Sequence, residues 1–267
     1  VTFFYILSLF LPSTSLILGI ISLFFITLFI IISLYFGSKV YLKEINISSN
    51  KIKVKKSFIF ITDVHLGSNN ERHLFKIISK IKEKKYDFVL IGGDLIDSSN
   101  FNLQALNEFK QLECPIYFVT GNHEYYIKNS SEFIQTLHKF NIQHISNSNK
   151  LFDDINLIGV DDNLSKESQT EIIHKKINDD NFNLLLIHKP SVWINIKEKI
   201  DLMLSGHTHN GQIFPFNLFV RLQFKFKYGL YNFKNNFLYV SSGSGPWGPK
   251  MRLGTRNEVI LFNLNKK

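Results

Sequence analysis

Asp63-Val64-His65, Gly92-Gly93-Asp94, Gly121-Asn122-His123-Glu124, His188 and Gly206-His207-Thr208-His209 gather carboxylates, imidazoles and a carboxamide into five short clusters. These groups are ligands for borderline divalent cations such as manganese, iron or zinc. Residues two apart on an extended chain point the same way, so both ends of Asp63-Val64-His65 or His207-Thr208-His209 can reach one centre. A carboxylate such as Asp94 has two oxygens and can bridge two ions. One such pair alone is more often chance or a capping device. Here five of the nine histidines lie in the clusters, while His73, His138, His144 and His174 fall in expected helices or polar loops and read as solvated.

Each cluster follows an apolar run. The runs Ser57–Thr62, Phe88–Ile91, Ile116–Thr120, Leu184–Ile187 and Leu202–Leu204 read as buried strands, as does Ile155–Val160. Leu74, Ile77, Ile78 and Ile81 fall at helical spacing, and Phe101–Gln111 and Glu132–Phe140 also read as helices. Strand–helix alternation predicts an α/β fold with a largely parallel sheet. The strand C-termini of such a sheet share one edge, where ligands bind, so clusters distant in sequence converge. The Asn-rich stretch Asn141–Lys150 reads as a surface loop.

In this order the clusters resemble the calcineurin-like metallophosphoesterases, over roughly residues 55–265. The resemblance implies a four-layer sandwich of two mixed β-sheets flanked by helices. It implies two divalent metal ions, manganese first with iron or zinc as alternatives. One would be held by Asp63, His65, Asp94 and His209, the other by Asp94, Asn122, His188 and His207. His123 matches a non-ligand histidine near the leaving-group oxygen and is expected to protonate it or to stabilise its charge, with Glu124 or another acid as orienter. A cation pair lowers the pKa of a shared water towards neutrality, and the hydroxide attacks phosphorus in line. Gly243 to Gly248, Arg252 and Gly254 resemble a membrane-associated bacterial branch, which carries glycine where Asn210 stands here. One documented activity of that branch is hydrolysis of a nucleotide–lipid pyrophosphate, UDP-2,3-diacylglucosamine. The alternatives on the same site are phosphomonoesters, phosphoproteins, nucleotides and nucleic acid. Arg252 is a candidate phosphate clamp, since a guanidinium fork matches phosphate geometry, whereas Arg256 reads as surface.

The elements that position this chemistry include an apolar leader. Leu16 to Phe36 is uncharged and long enough to span a bilayer core. It lacks the positive start, short apolar run and cleavage site of a signal peptide. Val1 to Leu11 is apolar but short and is expected to be the tail of a truncated earlier span. The expected division is a membrane anchor over 1–37, a basic juxtamembrane segment over 38–54 and a catalytic domain over 55–267. Lys39, Lys43, Lys51, Lys53, Lys55 and Lys56 face only Glu44 across that segment, which places the domain on the cytoplasmic side of a bacterial inner membrane. The net charge of +9 suits phosphorylated substrates or acidic lipid. No base-stacking platform points to nucleic acid, and no protein partner is implied. A single cysteine, Cys114, excludes an intramolecular disulfide framework and a thiolate zinc cluster. Phe214 to Phe233 interleaves aromatic and basic residues. The alternation Phe224-Lys225-Phe226-Lys227-Tyr228 favours a strand and hairpin over a membrane-facing flap.

Overall fold

The computed structural model describes Thr2, Tyr5, Ile6 and residues 15–267, so most of the expected truncated span lies outside the described residues. Two six-stranded mixed sheets form the frame. The first contains β1 (Val40–Ser49), β12 (Asn257–Lys266), β2 (Lys56–Ile61), β3 (Phe88–Gly92), β4 (Ile116–Val119) and β5 (Ile142–His144), in that spatial order. The second runs β10 (Gly229–Phe233), β11 (Asn236–Val240), β9 (Leu202–Ser205), β8 (Phe182–Leu186), β7 (Ile155–Gly159) and β6 (Ser148–Phe152). Strands β2 to β5 are mutually parallel, as are β7, β8, β9 and β11.

The two-residue period of a strand explains the layering. Phe58, Phe60, Phe88 and Leu90 face Leu157, Leu184, Leu186 and Leu204 between the sheets, with Phe58 stacked 5.1 Å from both Phe88 and Phe262. Their neighbours Ile59, Ile61, Val89 and Ile91 point outward onto Leu74, Ile77, Ile78 and Ile81. Those four lie on one side of helix α2 (Glu71–Ile81), numbered after the apolar helix α1 (Ser15–Gly37). On the far side, Ile158, Leu185 and Met203 meet Ile173 and Trp193. Ile173 belongs to α4 (Lys166–Lys176), and Trp193 opens the short α5 (Trp193–Ile196). Strands buried on both faces read as unbroken apolar runs rather than alternation. The four-layer architecture follows.

Several local expectations change. The segment 38–54, expected as a juxtamembrane stretch, contains β1, which pairs in parallel with β12. Its charges fit because Ile45 and Ile47 point inward while Glu44 and Asn46 point out. Leu103–Gln111 winds as 3₁₀ helix, and 130–140 divides into α3 (Ser130–Thr136) and a 3₁₀ turn (Leu137–Phe140). Asn141–Lys150 is not simply a loop, since it holds β5 and the start of β6. Phe224–Tyr228 is irregular, and the hairpin begins only at Gly229.

His73, expected to be solvated, is buried on α2, and its Nε2 lies 2.8 Å from the Ser244 carbonyl oxygen. A carbonyl only accepts, so the ring donates. Burial lowers the His73 pKa to about 4, against the opposing pull of that hydrogen bond. A base whose folded pKa lies below its unfolded value of about 6.5 contributes stability that is complete above pH 6.5. That contribution fades as pH falls towards 4. His73→Gln keeps a donor but does not titrate. Chemical denaturation of the full chain in mild detergent should therefore show a flatter acid limb for His73→Gln than for wild type. The expected difference between pH 7 and pH 4 is on the order of 3 kcal/mol.

Candidate metal centre

The five clusters stand at neighbouring strand ends. Asp63 and His65 follow β2, Asp94 follows β3, Asn122 and His123 follow β4, His188 follows β8, and His207 and His209 follow β9. Asp63, His65 and His209 each offer one donor atom within 4.8 Å of the others, and so do Asp94, His188 and His207. Asp63 Oδ1 lies 3.4 Å from His209 Nε2, and His65 Nε2 lies 3.0 Å from the same nitrogen. His188 Nε2 is 3.1 Å from Asp94 Oδ2 and 3.3 Å from His207 Nδ1. Asp94 Oδ2 is also 3.8 Å from His65 Nε2, so this carboxylate stands between the two groups.

The donors fit cations. Ligands about 2.1 Å from a common ion stand roughly 3.0–3.4 Å apart in octahedral or tetrahedral arrangement. The closest donor pairs match that spacing. Asn122 Oδ1 is buried and has no hydrogen-bond partner among the described residues, a cost that an oxygen-binding cation removes. One ring orientation is also set from behind. His188 Nδ1 lies 2.8 Å from the Gly92 carbonyl oxygen, which accepts, so a neutral His188 ring keeps its proton on Nδ1 and turns the Nε2 lone pair to the centre. His65 Nδ1 lies 3.3 Å from Asp97 Oδ2, close enough for charge attraction but without the alignment of a hydrogen bond.

The backbone bends sharply to achieve this. Asp63, His65, Asp94, His207 and His209 all have φ between 49° and 72°. This left-handed region is uncommon for residues with a side chain and costs roughly 1–2 kcal/mol each. Asn210, where the resembling branch has glycine, has φ 52° and ψ 26°, and asparagine is among the few residues that tolerate this turn. Glycines make room beside the bends. A Cβ on Gly206 would strike Asp63 Oδ2 and Thr62 Oγ1, and one on Gly121 would strike Asp94.

Burial and charge oppose each other here. Burial would lower His188, but the Asp94 carboxylate overrides it and pushes the imidazole up to about 10. Burial lowers His207 to about 3, helped by the neighbouring His188. Burial raises Asp63 despite nearby imidazoles, whereas at Asp94 the imidazoles prevail over burial and hold the carboxyl low. A proton on His188 and a cation beside Asp94 are alternative ways to offset the same negative charge.

His123 is half-buried at the rim, its ring edge-on to His65 at 4.7 Å and to Trp247 at 5.9 Å. Its backbone N–H donates to Asp94 Oδ1 at 2.8 Å. Glu124 does not orient this ring. It is fully buried and accepts from the backbone N–H groups of Asp94, Leu95, Ile96 and Gly121, which lashes the β3 and β4 loops together. Arg252 is not open to a substrate phosphate either. Its side chain is fully buried, with Nε donating to Asn257, Nη1 to the His209 carbonyl and Nη2 to the Gly245 carbonyl. Its Nη2 also lies 3.4 Å from His209 Nδ1, so it steadies His209 instead. Asp97 was not anticipated. The signal was a second acid three residues beyond Asp94 in one loop.

The match to the family model described as calcineurin-like phosphoesterase covers residues 56–211, from β2 to just beyond His209. The chain belongs to this family. An uncharacterized metallophosphoesterase of Helicobacter pylori is 36% identical over 241 residues, 85% of this chain and 64% of that protein. A metallophosphoesterase of Campylobacter jejuni is 35% identical over 238 residues, 84% of this chain and 63% of its own length. A protein of Bos taurus named transmembrane protein with metallophosphoesterase domain is 33% identical over 81% of this chain and 54% of its own. The chain thus spans less than two thirds of these relatives.

Gly206→Ala should displace the Asp63 carboxylate without unfolding the sheets. Elemental analysis after loading with manganese should then show occupancy reduced by about half or more, with an unchanged circular dichroism spectrum. Wild-type occupancy in that variant would show that Asp63 is not a ligand.

Proposed function

We propose that the chain is a dinuclear-metal-dependent phosphohydrolase that cleaves a phosphodiester or pyrophosphate bond of a membrane-associated substrate. The observation that carries this reading is Asp94 Oδ2 lying between two donor groups, 3.1 Å from His188 and 3.8 Å from His65. Asp63, His65, Asp94 and His209 would hold one divalent ion, and Asp94, Asn122, His188 and His207 the other. Manganese is the first expectation for this oxygen- and imidazole-rich set, with iron or zinc next. Such ions supply Lewis acidity to a phosphoryl group and acidify water towards neutrality.

The remaining work falls to the chain. His188 is held in register from behind by the Gly92 carbonyl, and the Asp97 carboxylate stands 3.3 Å behind His65, so binding requires little rearrangement. His123 stands outside both donor trios that contain His209 and His207 and faces the rim. Burial lowers its pKa, so near neutrality it presents a neutral ring with one N–H. That N–H can donate to a leaving-group oxygen and steady its charge as the bond to phosphorus breaks.

Two observations support a membrane-borne substrate. Helix α1 is 23 residues long, is mostly exposed, and has a mean hydropathy of 2.9 over its most apolar stretch, which suits a bilayer anchor. The lysines after it suit a cytoplasmic domain. Beside His207 and His209 lies a groove of about 340 Å³ lined by Ile213, Phe216, Val220 and Phe224. An apolar wall next to phosphate chemistry suits a lipid-linked pyrophosphate, of which UDP-2,3-diacylglucosamine is one example.

The decisive comparison is the manganese-loaded chain on a nucleotide–lipid pyrophosphate, bis-p-nitrophenyl phosphate and p-nitrophenyl phosphate. The lipid pyrophosphate should be cleaved fastest, and preference for the monoester would redirect the reading to a phosphomonoesterase. Asp94→Ala should lose both metals and all turnover on every substrate. His123→Ala should keep its metals and lose roughly 10²–10⁴-fold in kcat. Unchanged turnover in that variant would remove His123 from the mechanism.

A further inference from the structure

Helix α6 (Phe216–Gln223) is apolar on the wrong side for a helix of a water-soluble surface. Only Val220 is buried, while Phe216, Leu218, Phe219 and Leu222 project outward, Leu222 at 86% exposure. Phe214 just before it and Trp247 across the groove are exposed as well. An eight-residue helix is too short to be stable alone and depends on packing of its apolar side chains, yet of these only Val220 is packed inward, so the outward ones would gain from a less polar solvent. The exposed Arg221 and Lys225 flank this patch.

The position of α6 identifies that solvent. Residues 249–256 form a strap that touches both α1 and α6. The Arg252 N–H donates to the Ser33 carbonyl of α1 at 2.9 Å, and the Phe214 N–H donates to the Leu253 carbonyl at 2.9 Å. Ser33 is buried, the Arg256 guanidinium lies 3.4 Å over the Phe36 ring, and Asn257 donates to the Gly37 carbonyl at 2.8 Å. The domain therefore grips α1 one turn before its end, about 6 Å up the helix axis. If α1 crosses a bilayer, this grip sits at the lipid–water boundary, and α6 is attached to the adjoining residue of the same strap.

We infer that α6 with Phe214 and Trp247 is a second membrane contact, an interfacial helix that lies in the headgroup region of the bilayer and holds the groove mouth against lipid. The partner is a phospholipid surface. Aromatic side chains at headgroup depth and cations beside anionic phosphates both favour this placement. The inference rests on reading α1 as a span and extends the proposed function. It supplies a route by which a lipid-linked phosphate reaches His207 and His209 without leaving the membrane.

Trp247 is a built-in probe, because the second tryptophan, Trp193, is buried in the core. The full chain is reconstituted in vesicles of phosphatidylglycerol and phosphatidylcholine carrying bromine at shallow or deep acyl positions. Shallow bromine should quench Trp247 more than deep bromine, as expected for insertion of about 5–10 Å, and Trp247→Phe should abolish the quenched component. Phe219 and Leu222 do not line the groove. The double variant Phe219→Glu, Leu222→Glu should reduce quenching about twofold or more while its hydrolysis of bis-p-nitrophenyl phosphate matches wild type. Wild-type Trp247 emission that is insensitive to brominated lipid would overturn the inference, as it would if a protein or a second copy covered this face. So would quenching that survives the double substitution unchanged. Quenching in a chain inactive on every phosphoester would leave the membrane contact standing and sink only the hydrolase reading.

Discussion

Burying acids and imidazoles within a few ångströms of one another is unfavourable unless charge of the right sign lies among them. Asp63, Asp94, His65 and His188 are almost wholly removed from water, and His209 nearly so. Their donor atoms converge instead of pairing off, and Asn122 Oδ1 has no partner among the described residues. A pair of divalent cations offsets this cost directly, which makes the arrangement intelligible as a metal centre and expensive as anything else. Much of the molecule follows from holding that convergence in place. Two sheets clamp the strand ends, and the strained left-handed turns persist because both sheets over-determine them.

The supporting polar groups follow the same logic. Glu124 spends its carboxylate on four backbone N–H groups and so fixes two loops at once, one carrying Asp94 and the other Asn122. Arg252 is buried where a lone cation would be costly, but Asn257 and two carbonyls satisfy it beside His209. The same residue's backbone holds α1. One short strap therefore joins the apolar helix α1, helix α6 and the last candidate ligand. On the proposed reading of α1 as a span, the bilayer surface and the metal centre would be neighbours, as the proposed lipid-linked substrate would require.

The chemistry was more legible in the sequence than its supports. Strands buried on both faces are unbroken apolar runs, so β2, β3, β4, β8 and β9 could be read, and with them the clusters at their ends. Strands β1, β5 and β6 are edges or near-edges with mixed faces, and their lysines and asparagines resemble a linker or a loop. Clean alternation over Phe224–Tyr228 gave a false strand. Those side chains go to separate partners instead, Phe224 to His207, Phe226 to Tyr231 and Tyr228 to Glu258. Arg252, expected as a phosphate clamp, Glu124, expected to orient His123, and His73, expected to be solvated, share one feature that sequence does not carry. Only tertiary contacts reveal that each is engaged inside by backbone carbonyls or N–H groups.

The central claim is that two cations lie side by side and share Asp94. Electron paramagnetic resonance of the full chain titrated with manganese(II) tests it most directly. The account predicts uptake of two ions per chain and, at full loading, an exchange-coupled spectrum that replaces the isolated six-line signal. A single bound ion, or two ions whose spectra stay uncoupled at saturation, would contradict it.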